Sequence, residues 1–168
     1  MTSTLWAPWR MAYIAGPKTD GCLLCDLPRR ENDRENLILR RGPRTYVVMN
    51  RYPYNNGHLM VVPYHHRADF DRFSAEDALE FMQETQRATR ILHRLFGAEG
   101  FNVGVNLGKA AGAGIADHVH IHVVPRWVGD TNFMPVLSDT KVMPDYLEAT
   151  YDKLVPFFRE ERAPEVSL

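Results

Sequence analysis

The chain has 168 residues, 45% of them hydrophobic and 24% charged, which suits one soluble globular domain with a sizeable core. Its 20 basic and 21 acidic side chains leave a formal net charge of -1, so it lacks the basic excess of a sequence-independent nucleic-acid binder, while a local pocket for a small anion stays open. No apolar run approaches the length of a membrane span and residues 1–10 lack the layout of a signal peptide, so the expected location is the cytoplasm, with neither nucleic acid nor membrane as partner.

In chain order, the first 35 residues read as an irregular segment of a single domain spanning 1–168. It opens with an apolar cluster of Trp6, Pro8, Trp9, Met11, Tyr13 and Ile14, suited to packing on the main domain or on a partner subunit. Strands are expected over 36–40, over 45–50 after the Gly42-Pro43 turn, and over 58–63 behind Gly57. Ser74 is a helix N-cap with Asp77 three residues on. Ala78, Phe81, Met82, Thr85, Ala88, Leu92, Leu95 and Phe96 then repeat with helical period, and Gly97 suits the position that ends the helix.

Alternation predicts a strand over 101–106 and another over 118–124 that Pro125 ends. Pro144 opens a final helix carrying Tyr146, Leu147, Thr150, Tyr151 and Leu154 on one face, with Pro156 interrupting it. Tight connections between several strands favour antiparallel pairing. The predicted class is α+β, a mainly antiparallel sheet with one long helix and a C-terminal helix.

Three of the seven histidines fall at 118, 120 and 122. A strand has a side-chain period of two, so these imidazoles share one face while Val119, Ile121 and Val123 take the other. Solvent-facing histidines without a role, or histidines that only bind metal, are the plainer readings. Three in register beside a small-residue loop favour nucleophilic catalysis. A neutral imidazole attacks phosphorus when its other nitrogen is held by an acceptor that fixes the tautomer. The loop 108–114, GKAAGAG, precedes this strand, and Gly112 and Gly114 allow backbone N–H groups to approach a phosphate closely.

Cys22 and Cys25 are the only cysteines and have the spacing of a zinc half-site. A redox pair or two free thiols are the alternatives. Zinc commonly takes four nitrogen or sulfur ligands, so the missing two would be histidines, with His65, His66 and His118 as candidates.

The run 118–124, HVHIHVV, resembles the signature of the histidine-triad family, and 50–63, NRYPYNNGHLMVVP, is similar to that family's nucleotide-binding segment. The resemblance runs from about residue 36 to Trp127. The flanking stretches LWAPWRMAYI, GFNVGVNLG, PRW and GDTNF look like the bacterial branch related to fragile-histidine-triad hydrolases and diadenosine tetraphosphate phosphorylases. The resemblance implies an α+β fold assembled as a homodimer. It implies an enzyme that cleaves a nucleoside polyphosphate, above all a dinucleoside polyphosphate, by hydrolysis or phosphorolysis.

Carried over by position, His120 is the nucleophile toward the α-phosphorus. His118 orients it through its backbone carbonyl, and His122 contacts the phosphate oxygens. Asn50 contacts the ribose, and Asn106 occupies the place of a polar amide near the scissile phosphate, where the fragile-histidine-triad branch has glutamine. His58 matches a histidine behind the site, read here as buried and hydrogen-bonded. Ala113, Gly114 and Ala116 stand where some relatives carry a hydroxyl or glutamine, which leaves phosphate contact to backbone N–H groups. The related CxxC proteins hold structural zinc on positions that match Cys22, Cys25, His66 and His118, with His65 as the substitute for His66.

Other readings remain beside this one. The same nucleophile suits a nucleoside phosphoramidate hydrolase, and a non-catalytic nucleotide-binding module is the reading from another class. Trp6, Trp9, Trp127 and Phe133 suit packing first and base stacking second. Arg126 suits either phosphate binding or the surface.

Overall fold

The computed structural model describes residues 21–130, 143 and 145–160. Trp6, Trp9, Phe133 and Pro144 lie outside the described residues. Five strands, β1 (Ile38–Arg41), β2 (Thr45–Met49), β3 (Leu59–Pro63), β4 (Gly100–Val105) and β5 (Ile121–Arg126), form one sheet in the order β1-β2-β3-β5-β4, antiparallel throughout. The β-branched and aromatic residues of β2 are all buried, as befits a strand flanked on both edges. Around the sheet lie the short helices α1 (Leu23–Asp26) and α2 (Asp33–Asn36), the long α3 (Ala75–Phe96) and the C-terminal α4 (Leu147–Glu160). Among the described residues no helix is long and apolar enough to cross a membrane.

The turn into β3 needs its glycine. Gly57 has φ +74°, and a Cβ there would meet Leu92 Cδ2 at 3.1 Å. That close approach seats α3 on the sheet face shared by Ile121, Val123 and Pro125, so alternate residues of β5 face away from the helix.

Helix α3 begins and ends as its sequence predicts. The Ser74 side chain accepts the Asp77 N–H, Asp77 accepts the Ser74 N–H, and Gly97 closes the helix at φ 60°. Its buried stripe is rotated from the expected one. Phe81, Thr85, Ala88 and Leu92 are buried as predicted, but Ala78 and Met82 are exposed, while Glu84, Arg87 and Ile91 are buried. The charges enter because they neutralise each other. Arg87 Nε lies 3.1 Å from both Glu84 carboxylate oxygens, and Arg40 reaches Glu84 at 3.1 Å from β1. Glu80 accepts the backbone N–H groups of Arg44 and Thr45 and the Thr45 hydroxyl, each at 2.9 Å, which fastens the same helix to the β1–β2 hairpin.

Three expectations need correction. The ladder of the histidine strand begins at Ile121, not at 118; residues 118–120 are irregular and the Val119 N–H donates to the Arg67 carbonyl. Pro125 does not end the strand. Its carbonyl points away from β4 and accepts the Asn55 side chain, so its missing N–H falls on the side where β3 has not yet begun. Pro156 does not interrupt α4 either. It sits on an exposed turn, where water can serve the carbonyl that loses its donor. The helix buries Thr150, Tyr151, Leu154 and Phe158, whereas Tyr146 is exposed.

Candidate functional site

The three histidines sit on the sheet face opposite α3. His122 pairs with Met60 on β3 and Gly104 on β4, and those neighbours share its face. His118 and His120 precede the ladder but keep the alternation, with Val119, Ile121 and Val123 buried between and beyond them. The rings of His120 and His122 meet edge to face at 4.7 Å.

Hydrogen bonds assign the tautomer of each ring. His120 Nδ1 lies 2.8 Å from the His118 carbonyl oxygen, which only accepts, so Nδ1 carries the proton and Nε2 keeps its lone pair. Burial pulls the His120 pKa below the usual histidine range, against the pull of that carbonyl, and keeps the ring neutral. A neutral imidazole with one nitrogen anchored and the other unprotonated is the state a phosphorus nucleophile requires.

His58 is buried, as expected, and its partner is the third histidine. The Tyr54 backbone N–H donates to His58 Nδ1 at 3.1 Å, which puts the His58 proton on Nε2. His58 Nε2 then donates to His122 Nδ1 at 3.0 Å, which puts the His122 proton on Nε2. The chain of bonds therefore makes His122 a donor where His120 is a nucleophile. Tyr54 stacks on His58 with 4.8 Å between centroids and holds that ring in its plane.

His118 faces the other way. Its Nε2–H donates to the Pro63 carbonyl at 2.8 Å, which leaves the Nδ1 lone pair toward Cys22 Sγ at 3.3 Å and Cys25 Sγ at 3.4 Å. His66 Nδ1 lies 3.3 Å from Cys25 Sγ. The four donor atoms of Cys22, Cys25, His66 and His118 all fall within 4.8 Å of one another, and His65 is not among them. A tetrahedral zinc with bonds of about 2.3 Å to sulfur and 2.0–2.1 Å to nitrogen sets sulfur and nitrogen about 3.5 Å apart. The donor set and its spacing fit such an ion. The Pro63 carbonyl supplies the outer hydrogen bond that orients a metal-binding histidine. Burial and the adjacent Cys22 thiol push the Cys25 thiol up to about 11, and a divalent cation held here would favour the thiolate. Helix α1 builds the half-site, since Cys22 is its N-cap and Cys25 follows within its single turn.

The residues expected to bind nucleotide lie just past β2 and β4 and on the loop that precedes the histidines. Asn50 follows β2, and its side chain accepts the Tyr52 N–H at 2.9 Å, which shapes the loop beyond. Asn106 follows β4. Continuing the Val105–Ile121 register by one residue sets it beside His120 on the same face. Gly112 has φ 83°, and its N–H closes a turn onto the Lys109 carbonyl at 3.0 Å. Gly114 is exposed on the same loop. Arg126 is engaged by Asp130 and Asn102. Trp127 donates to the Phe96 carbonyl, which favours packing over base stacking for that ring.

Sequence reasoning missed Asn55 and Asp130, which join the loop before β3 to the turn after β5. Their only signal is membership of the NNG and GD turns.

Comparison with known proteins follows the same outline. A profile described as the HIT domain matches residues 30–128. The chain is 41% identical over 155 residues to an AP-4-A phosphorylase of Mycobacterium tuberculosis, covering 87% of this chain and 79% of that protein. It is 26% identical to the adenosine 5'-monophosphoramidase of Candida albicans, covering 62% of this chain and 70% of that one. Among solved structures, a zinc-bound histidine triad family protein from Mycobacterium smegmatis superposes with a TM-score of 0.65 at 26% identity, covering 83% of this chain and 94% of that one. With the profile spanning more than half of its length and a relative at 41% identity, the chain belongs to the HIT domain family.

Proposed function

We propose that this protein cleaves dinucleoside polyphosphates at an α-phosphorus through a nucleotidyl-histidine intermediate on His120, by hydrolysis or phosphorolysis. The observation that carries the reading is the His120 Nδ1–H bond to the His118 carbonyl, which leaves Nε2 as a lone pair. In the first step Nε2 forms a bond to the α-phosphorus and the bond to the bridging oxygen breaks. The remaining nucleotide leaves with that electron pair. In the second step an oxygen of water or inorganic phosphate displaces the histidine and returns it to its starting tautomer. His122, a donor at Nε2, stabilises negative charge on the phosphate oxygens as it grows. Asn50 and Asn106 serve the ribose and the scissile phosphate. The 41% identity to an AP-4-A phosphorylase favours diadenosine tetraphosphate as substrate and phosphate as acceptor.

Zinc on Cys22, Cys25, His66 and His118 would play a structural part. Those residues would tie helix α1, within a single 1–168 domain, to the backbone that carries His118 and its carbonyl. A cytoplasmic location suits the reduced thiols such a site needs. A homodimer is supported by β4, a sheet edge among the described strands whose Val103 is 49% exposed, with Leu107 just beyond it 41% exposed.

The test is to trap a radiolabelled nucleotide on His120 and to follow products with and without phosphate. Turnover in His120→Ala should fall by at least about 1,000-fold while nucleotide binding survives. Normal turnover in that variant removes the assignment. ADP and ATP formed together only when phosphate is present identify a phosphorylase. A second reading, a nucleoside phosphoramidate hydrolase, draws on the likeness to the Candida enzyme. Side-by-side rates on adenosine phosphoramidate and diadenosine tetraphosphate separate the two. Failure to label the protein with either substrate would favour a nucleotide-binding module without catalysis.

A further inference from the structure

We propose that Asp130 is a positioning residue for this reaction: through Asn55 it clasps the turn whose Tyr54 N–H and His58 ring set which nitrogen of His122 carries the proton. The proposal rests on the function argued above for His122.

The Asp130 side chain is 9% exposed, and its carboxylate is heavily engaged. Oδ2 accepts Arg126 Nε at 2.6 Å, Asn55 Nδ2 at 3.0 Å and the Trp127 backbone N–H at 3.3 Å, and Oδ1 accepts Arg126 Nη2 at 2.8 Å. Arg126 Nη1 donates to Asn102 Oδ1 at 2.9 Å, which anchors the ion pair to β4. An arginine–carboxylate pair that served only the surface would have no use for Asn55.

Asn55 is 5% exposed, and both of its bonds run across the fold, to Asp130 and to the Pro125 carbonyl at 3.0 Å. Its own carbonyl accepts the His58 backbone N–H at 3.1 Å. The turn 54–58 is thus held at its middle by β5 and the turn that follows it. Tyr54 N–H can meet His58 Nδ1 only while the turn keeps this shape. When Tyr54 withdraws, His58 Nδ1 loses the donor that keeps it an acceptor, and a proton can move there. His58 Nε2 then becomes an acceptor, the shared proton moves to His122 Nδ1, and His122 turns a lone pair instead of an N–H toward the phosphate. No proton is gained or lost, but the electrostatic sign of the third histidine is reversed.

Imidazole 15N spectra of the metal-loaded full-length protein, with no substrate present, read the tautomers directly. In Asp130→Ala and Asn55→Ala the His58 and His122 ring nitrogens should exchange signatures, while His120 keeps its Nδ1–H pattern and metal content stays at the wild-type ratio. In steady-state assays kcat should fall about tenfold in both variants with KM within about twofold, as for an interaction made only in the transition state. Asp130→Asn keeps an oxygen to accept from Asn55 and should recover most of the loss.

Unchanged His58 and His122 spectra in a folded Asn55→Ala protein, which leaves the Arg126 pair intact, would overturn the proposal. So would Asp130→Asn falling as far as Asp130→Ala, because the ion pair alone would then matter. Should the wild type neither turn over nor become labelled by any nucleotide tested, the proposed function fails, and the spectra still decide the clasp.

Discussion

Replacing Glu84 tests whether the buried charges of α3 act as one unit. Glu84 and Arg87 have side chains 5% and 2% exposed, and two bonds of 3.1 Å join them. Arg40 shares the same carboxylate but is 26% exposed. Glu84→Gln keeps the shape and removes the charge, which leaves Arg87 in the core facing an amide. Removing one partner of a buried pair costs about 3–5 kcal/mol. Discounting for the water that still reaches Arg40, we expect about 3 kcal/mol. For a chain of this size each kcal/mol is worth about 2–4 °C, so the melting temperature should fall by roughly 6–12 °C.

Urea unfolding followed by circular dichroism gives the free energy, and a scanning melt gives the temperature. The companion variant Glu84→Leu with Arg87→Met removes both core charges and frees Arg40 to turn to solvent. It should recover to within about 1–2 kcal/mol of wild type, because an apolar pair of similar volume replaces a desolvated ionic one. A Glu84→Gln protein within about 1 kcal/mol of wild type would refute the reasoning, since Arg87 would then be finding its compensation elsewhere.

Two further outcomes follow from the site. Elemental analysis of the wild type should find stoichiometric zinc, and Cys22→Ser with Cys25→Ser should abolish it and lower the melting temperature, as chelation of the wild type should; equal zinc content in both proteins would remove Cys22 and Cys25 as ligands. Gly57→Ala should cost about 1–3 kcal/mol in a urea titration, since the residue must hold φ +74° with its Cβ 3.1 Å from Leu92, and a neutral result would mean that the turn can relax.

The short-range chemistry of this chain could be read residue by residue. The alternation of His118, His120 and His122 with apolar neighbours, the Ser74–Asp77 cap with its Gly97 stop, and the CxxC pair all depend on spacings of a few residues. Strand period, capping geometry and ligand bite operate on that scale. The resemblance supplied the roles of the triad, which spacing alone left open between catalysis and metal binding. Where the local rules failed, a distant contact had altered the balance. Pro125 stays in the ladder because β3 starts too late to need its N–H and Asn55 takes its carbonyl. Met82 points outward because the charges of Glu84 and Arg87 became affordable inside once Arg40 joined them.

What tertiary structure alone decided is which groups meet across long stretches of chain. Cys22 and His118 lie 96 residues apart and approach to 3.3 Å, and His66 rather than His65 completes their cluster. His58 and His122, separated by 64 positions, share a proton whose location is set by a backbone N–H four residues before His58. Neighbouring residues determine propensity and pattern, whereas a tautomer depends on the partner that arrives from elsewhere in the fold. Hydrogen-bond direction at an imidazole is a property of the assembled pair and is written in neither residue by itself.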